Sequence, residues 1–483
     1  MESIKNSIII KFLTSKDLKV KFIKLAILLF FMSLGLLSDI FVCMVFILCS
    51  IYTICEFSAD SLIWTLLTAV YMLYSCAGFT FFVMWVFIGV LLLKLVLDLI
   101  NKKISLKSWR FITIFSLFAS LCLLILLPLC KSYVFSTQLN KFSLFALVVL
   151  ALVYINEINI KNTLLLFVSM VCVMGLVNFI FNQFGLGSTI YKAYYSNGIL
   201  VRFSPFSEDP NFSGAIIICA IMSWFVAYKK EYINKYLYFG GLTVLGMYLL
   251  MTISKACYFI IAIFALYVIV ENIVISVKTK NPKHLIELAY YLGVLLIACA
   301  ICWRYIDSMC QRILNPAEAW WNEGRDDAGL SNLTTGRVDL WLGYLQAIFG
   351  SVRILLFGAG TVAEYVGHGA THSMPLDYLY RYGLLVVLVL IALFIVAVLP
   401  YLKKAKPYNY VPLICITGIY CSIGSVSVKY IYAFTIIFIT LCCNGIEALK
   451  EANQSNKLEP SKRDNKQEQD NKVDNEESAG QIK

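Results

Sequence analysis

Apolar residues run in long blocks along this chain, and polar residues gather in short clusters between them. A block of roughly 17–25 apolar residues is what one helix needs to cross the hydrocarbon of a bilayer. About fourteen such blocks recur, near 21–37, 39–56, 60–78, 79–100, 110–130, 142–158, 162–184, 213–228, 234–253, 256–277, 285–303, 376–400, 409–424 and 428–446. Merging the shortest pairs, with 39–100 the least sharply divided, lowers the number by two. No internal repeat relates one set of blocks to another, as an inverted-repeat transporter requires. The pattern predicts an all-α fold, a polytopic integral membrane protein with about 12–14 transmembrane helices and one large external loop. It divides the chain into a basic N-terminus (1–20), N-terminal helices (21–184), a core (185–400) with polar loops at 185–213 and 304–373, C-terminal helices (401–448) and a tail (449–483). The tail is rich in Lys, Asn, Gln, Asp and Glu, and is expected to be disordered.

Composition agrees: 60% of the 483 residues are hydrophobic, against roughly 45–50% in a soluble domain. The formal charge of +11 suggests nucleic acid only until the lysines are located. Lys102, Lys103, Lys107 and Arg110, then Lys229, Lys230 and Lys235, then Lys278, Lys280 and Lys283, then Lys403, Lys404 and Lys406 fall in loops of one parity. Lys5, Lys11, Lys16, Lys19, Lys21 and Lys24 crowd the N-terminus. Read by the positive-inside rule, these loops and both chain ends face the cytoplasm, and 304–373 faces outward. Lys131 and Lys141 dissent. No nucleic-acid partner is implied. The 16 cysteines lie mostly inside apolar blocks, the Cys299/Cys302 pair included, where a thiol is a small apolar side chain. Neither a metal nor a disulfide framework is assigned. The first twenty residues interleave basic and apolar positions with no cleavage site, which reads as a retained interfacial segment. Lys94 and Asp98, four apart near a span end, are expected to pair on one helix face.

The loop 304–373 carries the candidate chemistry. It holds Arg304, Arg312, Arg325, Arg337 and Arg353 and no lysine. A guanidinium is a planar fork that meets phosphate oxygens two at a time, whereas an ammonium is a hydrated point charge. Thr334 or Thr335 caps an expected surface helix to about Leu345, with Arg337 and Asp339 in its first turn and Val338, Trp341, Leu342 and Leu345 on its apolar stripe. Leu355-Leu356-Phe357 runs into a flexible Gly358–Gly360 turn, and His372-Ser373 precedes a span in which Asp377 and Arg381 are spaced to pair. His368 and His372 have the spacing of a helical zinc site, but Gly367 and Gly369 disfavour a helix and no glutamate follows His368. Upstream, Arg202 precedes Glu208, Asp209, Pro210, Asn211 and Gly214, where Asp209 or Asn211 serves as a helix cap or as part of a site. Lys255 heads a helix, where a cation opposes the helix dipole, so it either meets an anion or snorkels to lipid phosphate.

These pieces, in this order and on one predicted side, resemble the O-antigen ligase and O-antigen polymerase (Wzy) superfamily of bacterial envelope glycosyltransferases. The likeness covers roughly 185–400 and rests on Arg202 with Asp209-Pro210-Asn211 and Gly214, on Ser254, on Thr335-Gly336-Arg337, on Phe357-Gly358 with Gly360, and on His372-Ser373. Lys255 stands where the family has arginine, which keeps the charge and loses the fork. The resemblance implies a metal-independent glycosyltransferase of the bacterial cytoplasmic membrane, with no cofactor. Its donor and acceptor are undecaprenyl-pyrophosphate-linked glycans, and a chain-length regulator protein is a further partner the family allows. His372 is implied as the base; Arg202, Lys255 and Arg337 as pyrophosphate ligands; and Glu208, Asp209, Asn211, Asp339 and Ser373 in support. A polymerase builds repeat units into O-antigen, capsule or exopolysaccharide; a ligase moves finished polymer to lipid A core sugar. From another class, a transporter of lipid-linked oligosaccharide also uses arginines.

Overall fold

The computed structural model describes residues 8–35, 37–58, 79–101, 159–184, 194–196, 200–206, 210–307, 337–360 and 373–402, with isolated positions besides, among them Tyr154, Val366 and Thr371. The apolar blocks at 60–78, 110–130, 142–158, 409–424 and 428–446 lie wholly or largely outside the described residues, as does the 449–483 tail.

Where the chain is described, the blocks are helices. They are α1 (Ile8–Thr14), α2 (Leu18–Gly35), α3 (Asp39–Cys55), α4 (Phe79–Ile100), α5 (Ile160–Gln183), α6 (Pro210–Lys229), α7 (Lys235–Thr252), α8 (Lys255–Thr279), α9 (Lys283–Ile301), α10 (Arg337–Phe349), α11 (Val352–Phe357) and α12 (Met374–Leu402). The segments Ile160–Phe181, Pro210–Lys229, Lys255–Thr279, Lys283–Ile301 and Pro375–Ala392 are long and apolar enough to cross a membrane. The described fold is all-helical as expected, with one short addition: β1 (Tyr194–Ser196) and β2 (Leu200–Arg202) form an antiparallel hairpin, Tyr194 opposite Arg202. The hairpin delivers Arg202 to the head of α6.

Helix α6 is the centre of the described fold. It is buried from Ser213 to Ala227, and α5, α7 and α8 pack around it. Apolar residues on every face, as in Ala215-Ile216-Ile217-Ile218, mark a helix with no solvent side. The short turns between its neighbours are set by backbone geometry: α7 ends on Ile253 in the left-handed region (φ 48°), and Ser254 returns to extended backbone before α8.

The N-terminal helices hold two buried ion pairs. Lys94 Nζ donates to Asp98 Oδ2 at 2.7 Å, the pairing expected from their spacing, and Tyr154 OH adds a 3.0 Å bond to the same oxygen. The second pair corrects the reading of the basic N-terminus. Lys21 and Lys24 are fully buried in α2, and Lys24 Nζ donates to Glu56 Oε1 and to the carbonyls of Leu13 and Ser15. Those two lysines belong to the packed helices. Lys229, at the end of α6, likewise pairs with Glu271 of α8 at 2.8 Å.

Candidate functional site

The first group of candidate residues meets where α7 turns into α8. A helix end leaves its last carbonyls without partners, and Arg202 Nε donates to one of them, Thr252 O, at 2.9 Å. Its Nη2 donates to Asn211 Oδ1 at 3.2 Å. Ser254 Oγ donates to the same oxygen at 2.8 Å, and Cys257 Sγ approaches Asn211 O at 3.7 Å. Asn211 is therefore not the helix cap that its neighbourhood with Pro210 suggests. It lies within the first turn of α6, and its side chain joins β2, α6 and α8. Next to it, Phe203 N donates to Met251 O at 2.9 Å, while Ser213 Oγ bonds to Ser204 Oγ and accepts from Phe206 N.

Gly214 shows how close the elements are. A Cβ there would lie 2.5 Å from Cys257 Sγ. Lys255, half-buried, follows Ser254 directly as the first residue of α8. Arg202 thus has a local structural task that its sequence surroundings do not reveal, with Nε and Nη2 of its guanidinium both donating at the junction. Glu208 and Asp209 lie outside the described residues.

The second group is built on α10, α11 and α12. Arg337 opens α10 and Asp339, exposed, stands in its first turn. The helix runs to Phe349, four residues beyond the expected Leu345, and its buried positions are Tyr344 and Ile348; Leu342, expected on the apolar stripe, is exposed. Thr334, Thr335 and Gly336 fall outside the described residues. Tyr344 packs edge-on against Tyr380 of α12 at 5.0 Å between ring centroids. Burial pushes the Tyr344 phenol up to about 12, with a backbone hydrogen bond at Val366 opposing the shift. Trp341 Nε1 donates to Thr371 O at 2.7 Å.

His372 itself, with His368, lies outside the described residues, but both of its neighbours are bonded and buried. Thr371 Oγ1 donates to Ser373 O at 3.0 Å and accepts from Ser373 N at 3.2 Å. Asp377 N then donates to Ser373 O at 3.0 Å, which starts α12, and Arg381 Nε donates to the buried Asp377 Oδ1 at 2.9 Å, as their spacing predicts. Among the described residues, no group of three His, Cys, Asp or Glu side chains is arranged to hold a metal ion.

Helix α12 breaks at Gly383, whose φ of 76° and ψ of 173° are not helical. In an unbroken helix Tyr380 O and Arg381 O accept from residues four positions on. Here they accept from Ala359 N at 2.7 Å and Gly360 N at 3.1 Å. The Gly358–Gly360 turn is not flexible, as the glycines suggest in isolation. It is the segment that satisfies a broken helix. Gly358 (φ 80°) and Gly383 lie so near the opposite backbone that a Cβ on either would be 2.3 Å from Arg381 O or 2.4 Å from Leu356 O.

The bonds described here join Arg202, Asn211 and Ser254 in one group, and hold Arg337, Asp339 and Ser373 on the interlocked elements of another. Sequence reasoning missed Cys257, the Trp341–Thr371 link and the break at Gly383. Only the last left a signal, a glycine inside an apolar block. No family model matches the chain, and no curated protein matches it.

Proposed function

We propose that this chain is a polytopic enzyme of the bacterial cytoplasmic membrane that polymerises undecaprenyl-pyrophosphate-linked oligosaccharide repeat units at the external face, without a cofactor. The observation that carries the reading is the junction at Asn211. Two motifs 43 positions apart, the Arg202 to Gly214 segment and Ser254-Lys255, meet on one side-chain oxygen. That convergence supports a shared site. A second support is the pair of hydrogen bonds between Thr371 and Ser373, the residues that flank the motif histidine in sequence.

In this reading the acceptor sugar hydroxyl loses its proton to neutral His372, whose ordinary pKa of ~6.5 suits that task near neutral pH. The hydroxyl oxygen forms a bond to the donor's anomeric carbon as the bond from that carbon to the pyrophosphate oxygen breaks. The leaving lipid pyrophosphate gains negative charge, which Arg337 and Lys255 stabilise from fixed positions. Arg202 orients the junction and contributes its own positive charge. Asp339 and Ser373 support the arginine and the histidine. Glu208 and Asp209, which precede α6 in sequence, are assigned a supporting role.

The test is reconstitution in liposomes with a lipid-pyrophosphate-linked oligosaccharide, reading released undecaprenyl pyrophosphate and product length. Polymer and lipid pyrophosphate appear together for a polymerase. His372→Gln keeps donor binding and lowers turnover by roughly 10²–10⁴-fold. Arg337→Lys keeps the charge, removes the fork and lowers turnover by roughly tenfold or more. Donor carried across the bilayer without pyrophosphate release identifies a transporter. Single transfer to lipid A core sugar with no lengthening identifies a ligase.

A further inference from the structure

Helices α7 and α9 pack side by side and run parallel. The register is fixed by Tyr238 OH bonding Tyr291 OH at 3.0 Å, by Gly246 facing Ala298, and by Cys302 Sγ reaching Met247 O. Between them lies a groove of about 390 Å³ lined by Phe239, Gly240, Thr243, Tyr290, Gly293 and Ile297 among others. A Cβ at Gly240 or at Gly293 would meet nothing within 4 Å, so the space exists because these two positions lack side chains. Thr243 gives its hydroxyl to Phe239 O. The lining therefore offers hydrocarbon and little to hold water, and the residues around it (Leu237, Ile286, Leu296) are exposed and apolar.

One end of the groove is cationic. Because the helices are parallel, both N-termini lie there, each with the positive end of its helix dipole. Lys235 opens α7, and its Nζ stands 5.6 Å from the ring centre of Tyr290, which lines the groove. Lys283 opens α9, and both lysines are exposed. The acidic residues described at this end are Glu231, Glu271, which is paired with Lys229 at 2.8 Å, and Glu287, 3.8 Å from His284. An apolar channel with a cationic mouth matches a molecule with a hydrocarbon tail and an anionic head. The opposite end of α7 leads to Thr252 and the Arg202 junction, so a donor with its pyrophosphate at that junction does not place its head at Lys235.

We infer that the groove between α7 and α9 binds an anionic glycerophospholipid of the bilayer, one acyl chain along Gly240 and Gly293 and the headgroup phosphate at Lys235 and Lys283. This goes beyond the glycosyltransferase reading and depends only on the chain lying in a membrane. Native mass spectrometry of the full chain in mild detergent, with phosphatidylglycerol and phosphatidylcholine of identical acyl chains, tests it. Wild type retains phosphatidylglycerol about tenfold better, as expected for two lysines near a surface charge. Gly293→Leu, and independently Gly240→Leu, loses one bound lipid while thermal unfolding and pyrophosphate release stay at wild-type values. Lys235→Glu abolishes the preference for phosphatidylglycerol. Equal retention of both lipids, unchanged occupancy in both leucine variants, displacement by an equal amount of polyprenyl phosphate, or a wild-type dimer that the leucine variants dissociate would each overturn it.

Discussion

Asn211 and Gly214 show what a single residue decides in this molecule. The Asn211 carboxamide oxygen accepts from both Arg202 and Ser254, so one atom couples a strand, a buried helix and the helix that Lys255 begins. Arg202→Lys therefore tests two things at once, the phosphate fork and the bond to Thr252 O, and Arg337→Lys is the cleaner probe of phosphate. Gly214 makes the closeness of α6 and α8 measurable. Gly214→Ala is expected to cost about 1–3 kcal/mol by overpacking against Cys257 Sγ. In a Cys257→Ala background the obstructing sulfur is gone and most of that cost disappears. Thermal unfolding of the four proteins in detergent gives the coupling; an equal cost in both backgrounds refutes the contact. Much of this was legible in advance as residue types, since Arg202, Asn211 and Ser254 stand out among apolar neighbours. Their bonding was not, because a carbonyl such as Thr252 O has no signature in sequence.

Among the elements, α12 is the one whose form depends on a distant segment. Its break at Gly383 is tolerable because Ala359 and Gly360 supply N–H groups to Tyr380 O and Arg381 O, and an unpaired buried backbone group costs about 1–3 kcal/mol. Gly383→Ala adds a Cβ 2.4 Å from Leu356 O at a positive φ, where backbone rather than a flexible side chain must move. The expected loss is about 3 kcal/mol or more, seen as a lower unfolding temperature, with increased protease cleavage between α10 and α12. A variant as stable as wild type would mean that α12 can straighten and release the α10–α11 pair. Hydrophobic periodicity located α10 and α12 to within a few residues. It could not locate the break, since an apolar block reads the same whether its helix is continuous or interrupted.

For the whole molecule, the apolar blocks and the lysine loops support a multi-pass arrangement with 304–373 outside. A cysteine placed at Asn322 is expected to react with an impermeant reagent in intact cells, and one placed at Lys404 only after lysis; the reverse pattern removes the external site. The lysine count was less legible than the blocks, because pairing hides charge: Lys24 lies buried against Glu56, and the half-buried Lys229 pairs with Glu271. The Lys24–Glu56 pair also constrains how the protein is made. Its partners are 32 residues apart, on either side of the α2–α3 turn, so while α2 is emerging from the ribosome its ammonium has no counter-ion. On the membrane reading proposed above, the two helices gain by entering the bilayer as one hairpin, after Glu56 has been synthesised. Glu56→Gln leaves Lys24 without its carboxylate, at about 3–5 kcal/mol for a broken buried pair, and the yield of membrane-integrated chain should fall. Replacing both residues by methionine should restore it, which makes the pair a checkpoint on the order of biosynthesis rather than a source of net stability.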